Sequence, residues 1–583
     1  MKHLAYLNKY LLKYRMQILL GSVFILISNL FALYPAEFVR KALDAVLIYT
    51  EQNTKGINIQ QILIKYVLLI IAFALLKGLF MFLMRQTIIV MSRKVEFDLK
   101  NEIYLKYQEL SLSFYNRNKT GDLMNRISED VSRVRMYLGP GIMYGINISI
   151  LFYLILTKMI SINQTLTVYS LAPLPLLAII VYFVSNKINN RSEKVQRQLS
   201  RLTTAAQENF SGIRIIKSFS NQEDVFNKFY QECKMYKNKQ LNLVKIEAFF
   251  FPTILFLIGI STISIIYAGG IQVNAGKITP GNIAEFIIYV NMLAWPIASI
   301  GWVTSIIQRA AASQERINFF LKTKNEIAKL NSKEKFENGD IKFKNVSFKY
   351  DNNDNYSVKN LNFELQKGNT LGIFGKTGSG KSTIANLICR LYDVGQGDIL
   401  IANKSIKKIN INELRQSISY VPQDGYLFSG SIEENIGFSS NNICQNKIKK
   451  AAKEAAIHEE IMNFNNCYST VIGERGVKLS GGQKQRLAIS RALYKTSDIL
   501  IFDDCLSAVD AIKEKEIINN IKNKSNNKTT VLISHRIATI KKADHIIVLD
   551  NGVIIEQGTH SELTNNKGYY FQIYESQTNE SES

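Results

Sequence analysis

The sequence is short of cysteine and of acidic charge. Five cysteines in 583 residues, scattered and without paired spacing, exclude a fold stapled by disulfides. Cys389, Cys444, Cys467 and Cys505 lie in the more soluble second half and point to a reducing compartment. Charged residues make up only 20% of the chain, and 48 Asp and Glu face 71 Lys and Arg. With 47% apolar residues the chain is too hydrophobic to remain disordered. The net charge of +23 would fit a nucleic-acid binder, but the basic excess lies between apolar runs: residues 1–320 hold 35 basic and 18 acidic side chains. That is how cytoplasmic loops between membrane spans are charged, so no nucleic-acid partner is expected.

Long apolar runs dominate the first half instead. A spanning helix needs about 20 mainly apolar residues. Six segments qualify, at about 16–38, 60–84, 138–161, 164–185, 246–269 and 282–308. Lys2, Lys9, Lys13 and Arg15 precede the first, which predicts a cytoplasmic N-terminus. No small-residue cleavage site follows that run, so it reads as a retained span. Six spans bring the chain back to the cytoplasm. Connections at about 39–59, 162–163 and 270–281 are short and expected to face outward. Those at about 85–137 and 186–245 are long, charged and helical in pattern. About 30 helical residues from Arg85 to Tyr115 would reach roughly 45 Å, well past a bilayer. A machine driven by a remote soluble domain needs such helices; a plain channel does not. Lys77 sits mid-span and is a candidate to face a cavity. Lys158, Glu247 and Glu285 lie near span ends and are expected to snorkel to the interface.

The pattern changes after residue 320. Residues 321–340 read as a linker, 341–574 alternate short apolar strands with helices as in an α/β domain, and 575–583 read as a disordered tail. Gly375, Lys376, Thr377, Gly378, Ser379, Gly380, Lys381 and Ser382 match G-x-x-x-x-G-K-[ST], after an apolar strand and before a helix that continues with Thr383. Glycines let backbone N–H groups turn toward phosphates, Lys381 brings a cation to the β- and γ-phosphates, and the Ser382 hydroxyl can ligate Mg²⁺. Downstream, the apolar strand Ile499–Phe502 ends in Asp503 and Asp504, where P-loop enzymes place a Mg²⁺-holding carboxylate.

With Leu479-Ser480-Gly481-Gly482-Gln483, the chain resembles the ATP-binding cassette transporters, and among them the bacterial half-transporters that export lipids or drugs. The resemblance implies an all-α six-helix transmembrane domain at 1–320 and an α/β P-loop NTPase domain at 341–574, paired with a second half-transporter chain as homodimer or heterodimer. It implies ATP and Mg²⁺ as cofactors, membrane lipid as surroundings and a hydrophobic or amphipathic substrate. It also implies residence in the inner (plasma) membrane, with the N-terminus and nucleotide-binding domain cytoplasmic. In this family the pentapeptide caps the γ-phosphate of ATP bound to the other cassette; Ser480 and two glycines at a helix start offer a hydroxyl and close N–H groups for that anion.

Further positions match one by one. Tyr350 resembles the aromatic that stacks on adenine, Gln423 the sensor of Mg²⁺ and water, and His535 the switch histidine at the γ-phosphate. Ser507–Asp510 resembles the loop crossing between cassettes, and Gly473-Glu474-Arg475-Gly476 the loop that touches intracellular helices. Phe114–Leu123 and Glu208–Phe219 resemble the two coupling segments. The expected metal set is Ser382, Gln423 and Asp503, and the expected catalytic set Asp504, His535 and Gln423.

One position departs from the pattern. Asp504 stands where hydrolysing members of the family usually carry Glu, one methylene longer. The chain is therefore expected either to hydrolyse ATP with Asp as the base or to be the degenerate half of a heterodimer. An ATP-gated channel or regulatory protein of the same architecture is the other alternative. Nothing resembling a cysteine protease precedes the first span, which argues against an exporter that processes peptides.

Overall fold

The computed structural model describes residues 2–52, 59–327, 334–351, 355–440, 442–473, 476, 479–524 and 528–582. Six helices in it are long and apolar enough to cross a membrane: Arg15–Thr50, Ile59–Glu109, Thr120–Ile162, Gln164–Ser211, Gln222–Asn274 and Pro280–Leu321. All six expected apolar runs fall inside them. The second and fifth, with 51 and 53 residues, are roughly 75–80 Å long. The hydrocarbon layer takes up only about 30 Å of that length. Beyond its apolar run the second helix stays ordered by burying one stripe, Met84, Ile88, Met91, Val95, Leu99 and Ile103, at steps of three and four. The third passes through two π turns, Arg126–Asp130 and Tyr137–Gly141, the second of which absorbs Pro140.

Charged residues in this half depart from expectation at Glu285. It is fully buried rather than snorkelling, because Arg40 Nε lies 2.9 Å from its carboxylate and the Tyr289 hydroxyl donates to it at 2.8 Å. The neighbouring Asp44 accepts from Thr279 Oγ1 at 2.9 Å and from the Gly281 N–H at 3.0 Å. Lys158 stays partly exposed and pairs with Glu37 at 3.1 Å. Lys77 and Glu247 are exposed on the single chain.

The chain divides into two compact units, Met1–Gln108 with Gly121–Thr323, and Glu109–Thr120 with Lys324–Ser583. The short stretch Glu109–Thr120 thus belongs with the second unit, although the sequence gives it to the membrane half. That second unit contains two sheets. One is antiparallel, in the order β2-β1-β4-β5: β1 Ile341–Phe348, β2 Val358–Leu365, β4 Gln396–Ile401 and β5 Lys404–Ser405. The other has the order β10-β9-β3-β8-β7-β6: β3 Thr370–Gly375, β6 Ile418–Val421, β7 Ile499–Asp503, β8 Thr529–Ile533, β9 His545–Asp550 and β10 Val553–Gly558. In it β6, β7, β8, β3 and β9 run parallel and β10 returns antiparallel. Strands β7 and β8 are buried along their whole length, which is why they read as unbroken apolar runs.

The five cysteines form no disulfide; Cys389 and Cys505 are buried. The tail is not disordered as expected. Residues 575–582 continue the helix Tyr569–Glu582, whose first turn buries Tyr570 completely and whose Gln577 bonds to backbone on another segment. Tertiary anchoring overrides a composition that reads as solvated.

Candidate active site

Strand register builds the site. Ile373 of β3 lies opposite Ile533 of β8, and Ile533 opposite Asp503 of β7, so the segments leaving these three strands emerge side by side at one level. An open α/β sheet binds ligands at the carboxyl ends of its strands. After β3 the chain turns through a glycine-rich loop. Gly378 and Gly380 hold φ of +85° and +98°, and a Cβ on Gly380 would stand 2.4 Å from the Ser357 carbonyl oxygen, so no other residue fits there. Helix Lys381–Ile388 starts at once, with its free N–H groups at the loop.

The result is an open cavity lined by Tyr350, Ser357, Thr377, Gly378, Gly380, Lys381, Ser382, Thr383, Gln423, Asp503, Asp504 and His535. Lys381 Nζ donates to the carbonyls of Gly375 and Lys376 at 2.7 and 2.6 Å. Burial holds its ammonium below the ordinary lysine range, opposed by the carboxylates of Asp504 and Asp503. Asp503 accepts from Ser382 Oγ at 3.0 Å and from the Tyr420 hydroxyl at 3.3 Å. Burial raises its carboxyl above the usual range, those two bonds pull it back, and neighbouring Asp504 adds to the rise. A half-buried cation and a buried carboxylate, both desolvated, suit a polyanion at Lys381 and a dication at Asp503. Ser379 Oγ, buried without a partner among the described residues, adds an unspent donor under the loop. No group of three or more His, Cys, Asp or Glu side chains among the described residues forms a closed metal site. A hard cation here would share Ser382, Gln423 and Asp503 with oxygens of its own anion.

Asp504 follows β7 with φ of +45°, and its N–H donates to the Ile533 carbonyl at 2.9 Å, which turns the side chain into the cavity. Both its carboxylate oxygens lie 3.0 Å from His535 Nδ1. A carboxylate only accepts, so Nδ1 carries the proton and Nε2 is left free. Tyr350 is fixed edge-on against Phe348 and Tyr392, with ring centroids 4.9 and 5.2 Å away, and its hydroxyl lies 3.2 Å from Thr383 Oγ1.

The pentapeptide is elsewhere. Ser480 caps helix Gly481–Tyr494 through a reciprocal pair with Gln483, Ser480 N–H to Oε1 at 3.0 Å and Gln483 N–H to Oγ at 3.3 Å. Neither residue lines the cavity described above, nor do Gly481 and Gly482. A Cβ on Gly482 would sit 2.8 Å from the Ala508 carbonyl oxygen, so this helix packs against the Ser507–Asp510 loop. Gly473 and Gly476 are described; Glu474 and Arg475 lie outside the described residues.

Sequence reasoning missed several contributors. Tyr420 bonds Asp503 from beside the cavity and Ser357 lines it, with no motif to mark either role. Glu460 accepts from Gln483 at 3.0 Å, from Arg486 at 2.7 Å and from Lys513, tying the pentapeptide helix to its surroundings. Helix Leu112–Arg117, which overlaps the expected first coupling segment from Phe114 on, supplies Asn116, whose Nδ2 donates to the Tyr392 hydroxyl at 2.8 Å. Its Arg117 pairs with Glu326 and, at 2.8 Å, with Asp351. These line an adjoining cavity that shares Tyr350.

Comparison with known proteins extends these findings. Residues 18–297 match the model of the ABC transporter transmembrane region, and residues 358–507 that of the ABC transporter cassette. The multidrug resistance-like ATP-binding protein MdlA of Escherichia coli is 32% identical over 95% of this chain and 93% of its own. The ATP-dependent lipid A-core flippase of Syntrophus aciditrophicus is 31% identical over 94% of this chain and 89% of its own. A solved structure of a bacterial Atm1-family ABC exporter with ATP bound superposes with a TM-score of 0.78 at 25% identity, covering 98% of this chain and 99% of that one.

Proposed function

The chain belongs to the ATP-binding cassette transporters, with membrane region and cassette fused, and from that premise we propose that it is one half of an exporter that moves a hydrophobic or amphipathic molecule outward. The observation that carries this reading is the convergence of Lys381, Ser382, Gln423, Asp503, Asp504 and His535 on one cavity at the ends of β3, β6, β7 and β8. The glycine loop and Lys381 hold the phosphates of ATP, and Tyr350 stacks on its base. Ser382, Gln423 and Asp503 would hold Mg²⁺, which supplies charge neutralisation on the phosphate oxygens. Asp504 orients the attacking water and takes its proton. His535 holds Asp504 in place through its Nδ1–H, beside the γ-phosphate.

Ser480 to Gln483 stand outside this cavity, so a complete site needs the pentapeptide of a second chain. Dimerisation follows from the half-transporter architecture; the reading extends to ATP closing the two cassettes and the long helices carrying that closure to the spans. We take residues 1–320, apart from Glu109–Thr120, as the membrane region, 321–340 as the connection, and 341 onward through helix Tyr569–Glu582 as the cassette. The chain is a multi-pass membrane protein; we place it in the inner membrane with the cassette cytoplasmic, on the +4 charge of residues 1–15. Relatives named for multidrug resistance and for lipid A-core flipping support lipid-like or drug-like cargo. The one methylene missing at Asp504 favours a second reading, the slow half of a heterodimer.

Lys381→Ala tests the core of this reading. It removes the phosphate-facing cation and is expected to abolish ATPase activity of the reconstituted protein while membrane insertion persists. Turnover equal to that of the unaltered chain would overturn the site.

A further inference from the structure

His535 is held from two directions. Its side chain pairs with Asp504, and its backbone is clamped by a residue 42 positions away in sequence. Gln577, on helix Tyr569–Glu582, donates from Nε2 to the His535 carbonyl at 3.0 Å, and its Oε1 accepts from the Ile537 N–H at 2.9 Å. The two bonds bracket the turn His535-Arg536-Ile537, and the second satisfies a free N–H at the start of helix Ile537–Ile540. The rest of the turn is pinned as well. Arg536 and Thr539 both bond the buried Glu514, the latter at 2.6 Å, and the Ser534 N–H donates to Ile373 at 3.1 Å.

The helix that carries Gln577 is itself anchored at the glycine loop. Tyr570, seven residues and two turns earlier on the same face, is fully buried, edge-on to Phe374 at 5.8 Å. Phe374 immediately precedes Gly375. Lys376 Nζ lies 5.5 Å from the Tyr569 ring centroid. One helix therefore references the backbone of His535 to the root of the phosphate loop, by a hydrogen-bonded amide at one end and an aromatic contact at the other.

We propose that Gln577 is a positioning residue for His535, fixing the backbone from which the imidazole reaches Asp504 and the γ-phosphate. The proposal rests on the role given to His535 above. Gln577→Met keeps the length and packing of the side chain and removes both hydrogen bonds. In the hydrolysing full-length dimer in lipid nanodiscs, kcat is expected to fall about tenfold, since a displacement of an ångström at a reacting group costs up to about a hundredfold. KM for ATP should stay within about twofold. In a His535→Ala background Gln577→Met should cause no further loss, because a residue acting only through His535 has nothing left to act on. Independently of turnover, carbethoxylation of His535 by diethyl pyrocarbonate should be faster in Gln577→Met, because its imidazole is less firmly held against Asp504. Unchanged kcat with unchanged carbethoxylation, or a loss that adds to that of His535→Ala, would overturn the proposal. An unchanged kcat in His535→Ala by itself would instead remove the role of His535 in the proposed mechanism.

Discussion

At the scale of single residues, the proposed turnover rests on Asp504 as the base. Its backbone at φ of +45° and its contact with His535 bring a carboxylate into the cavity despite the shorter side chain. A positioned base contributes about a hundredfold to ten-thousandfold, so Asp504→Asn is expected to cut ATPase activity of the purified chain at least a hundredfold. Asp504→Glu should keep or raise it, because the carboxylate gains the reach usual in the family. Activity unchanged in Asp504→Asn would show that another group activates water. Inactivity of all three proteins, relieved by adding a second half-transporter, would favour the heterodimer. The residues with a dedicated backbone or charge task were readable from the sequence: Lys381 and Ser382 at a loop only glycine can form, Asp503 at the end of a buried strand. Tyr420, Ser357 and Gln577 were not. Each reaches the site from a different element, and what brings it there is register and packing that no local pattern encodes.

At the scale of elements, two charged clusters tie helices together in different surroundings. Glu460 anchors the pentapeptide helix through Gln483, Arg486 and Lys513. Burial alone would raise its carboxyl, but the hydrogen bonds from Arg486, Lys513 and Gln483 win and hold it down to about 2. A carboxyl depressed in the folded state stabilises fully above its unfolded value of about 4.3 and loses that contribution as pH falls toward 2. Glu460→Gln should therefore lower thermal stability at pH 7, by about 1 kcal/mol after allowance for its partial exposure, with the gap to the unaltered protein narrowing below pH 4. A gap independent of pH would argue against the ionised cluster. Arg40 and Glu285 form the other, inside the membrane half. The sequence placed Glu285 at a span end and suggested water; only the facing helix, with Arg40 at 2.9 Å, reveals an internal pair. Removing one partner of a buried pair costs about 3–5 kcal/mol, whereas replacing both by apolar residues is often neutral. Glu285→Ala is expected to destabilise the reconstituted protein on that scale, and Arg40→Met with Glu285→Leu to recover most of it. Equal losses in the single and double variants would mean that the pair is not the source.

At the scale of the whole molecule, orientation in the membrane is the property most directly open to measurement. On the proposed topology Lys277, exposed between the last two long helices, reports the outward face, and Lys119, exposed after helix Leu112–Arg117, the cytoplasmic one. In a cysteine-free background, Lys277→Cys should react with an impermeant maleimide on intact cells and Lys119→Cys only after lysis; the reverse pattern would invert the topology. The stretch Glu109–Thr120, which packs with the cassette unit, also sets an order in time. Ribosomes add about 5–20 residues per second, so roughly ten to fifty seconds pass between the emergence of Arg117 and that of Asp351, with which it pairs. Through that interval twelve residues of the second unit wait without their fold, while four further spans are threaded into the bilayer. Substitutions there should leave spans inserted and cassettes synthesised, yet yield halves that fail to join, a defect of late assembly visible to proteases long before it is visible to any assay of transport.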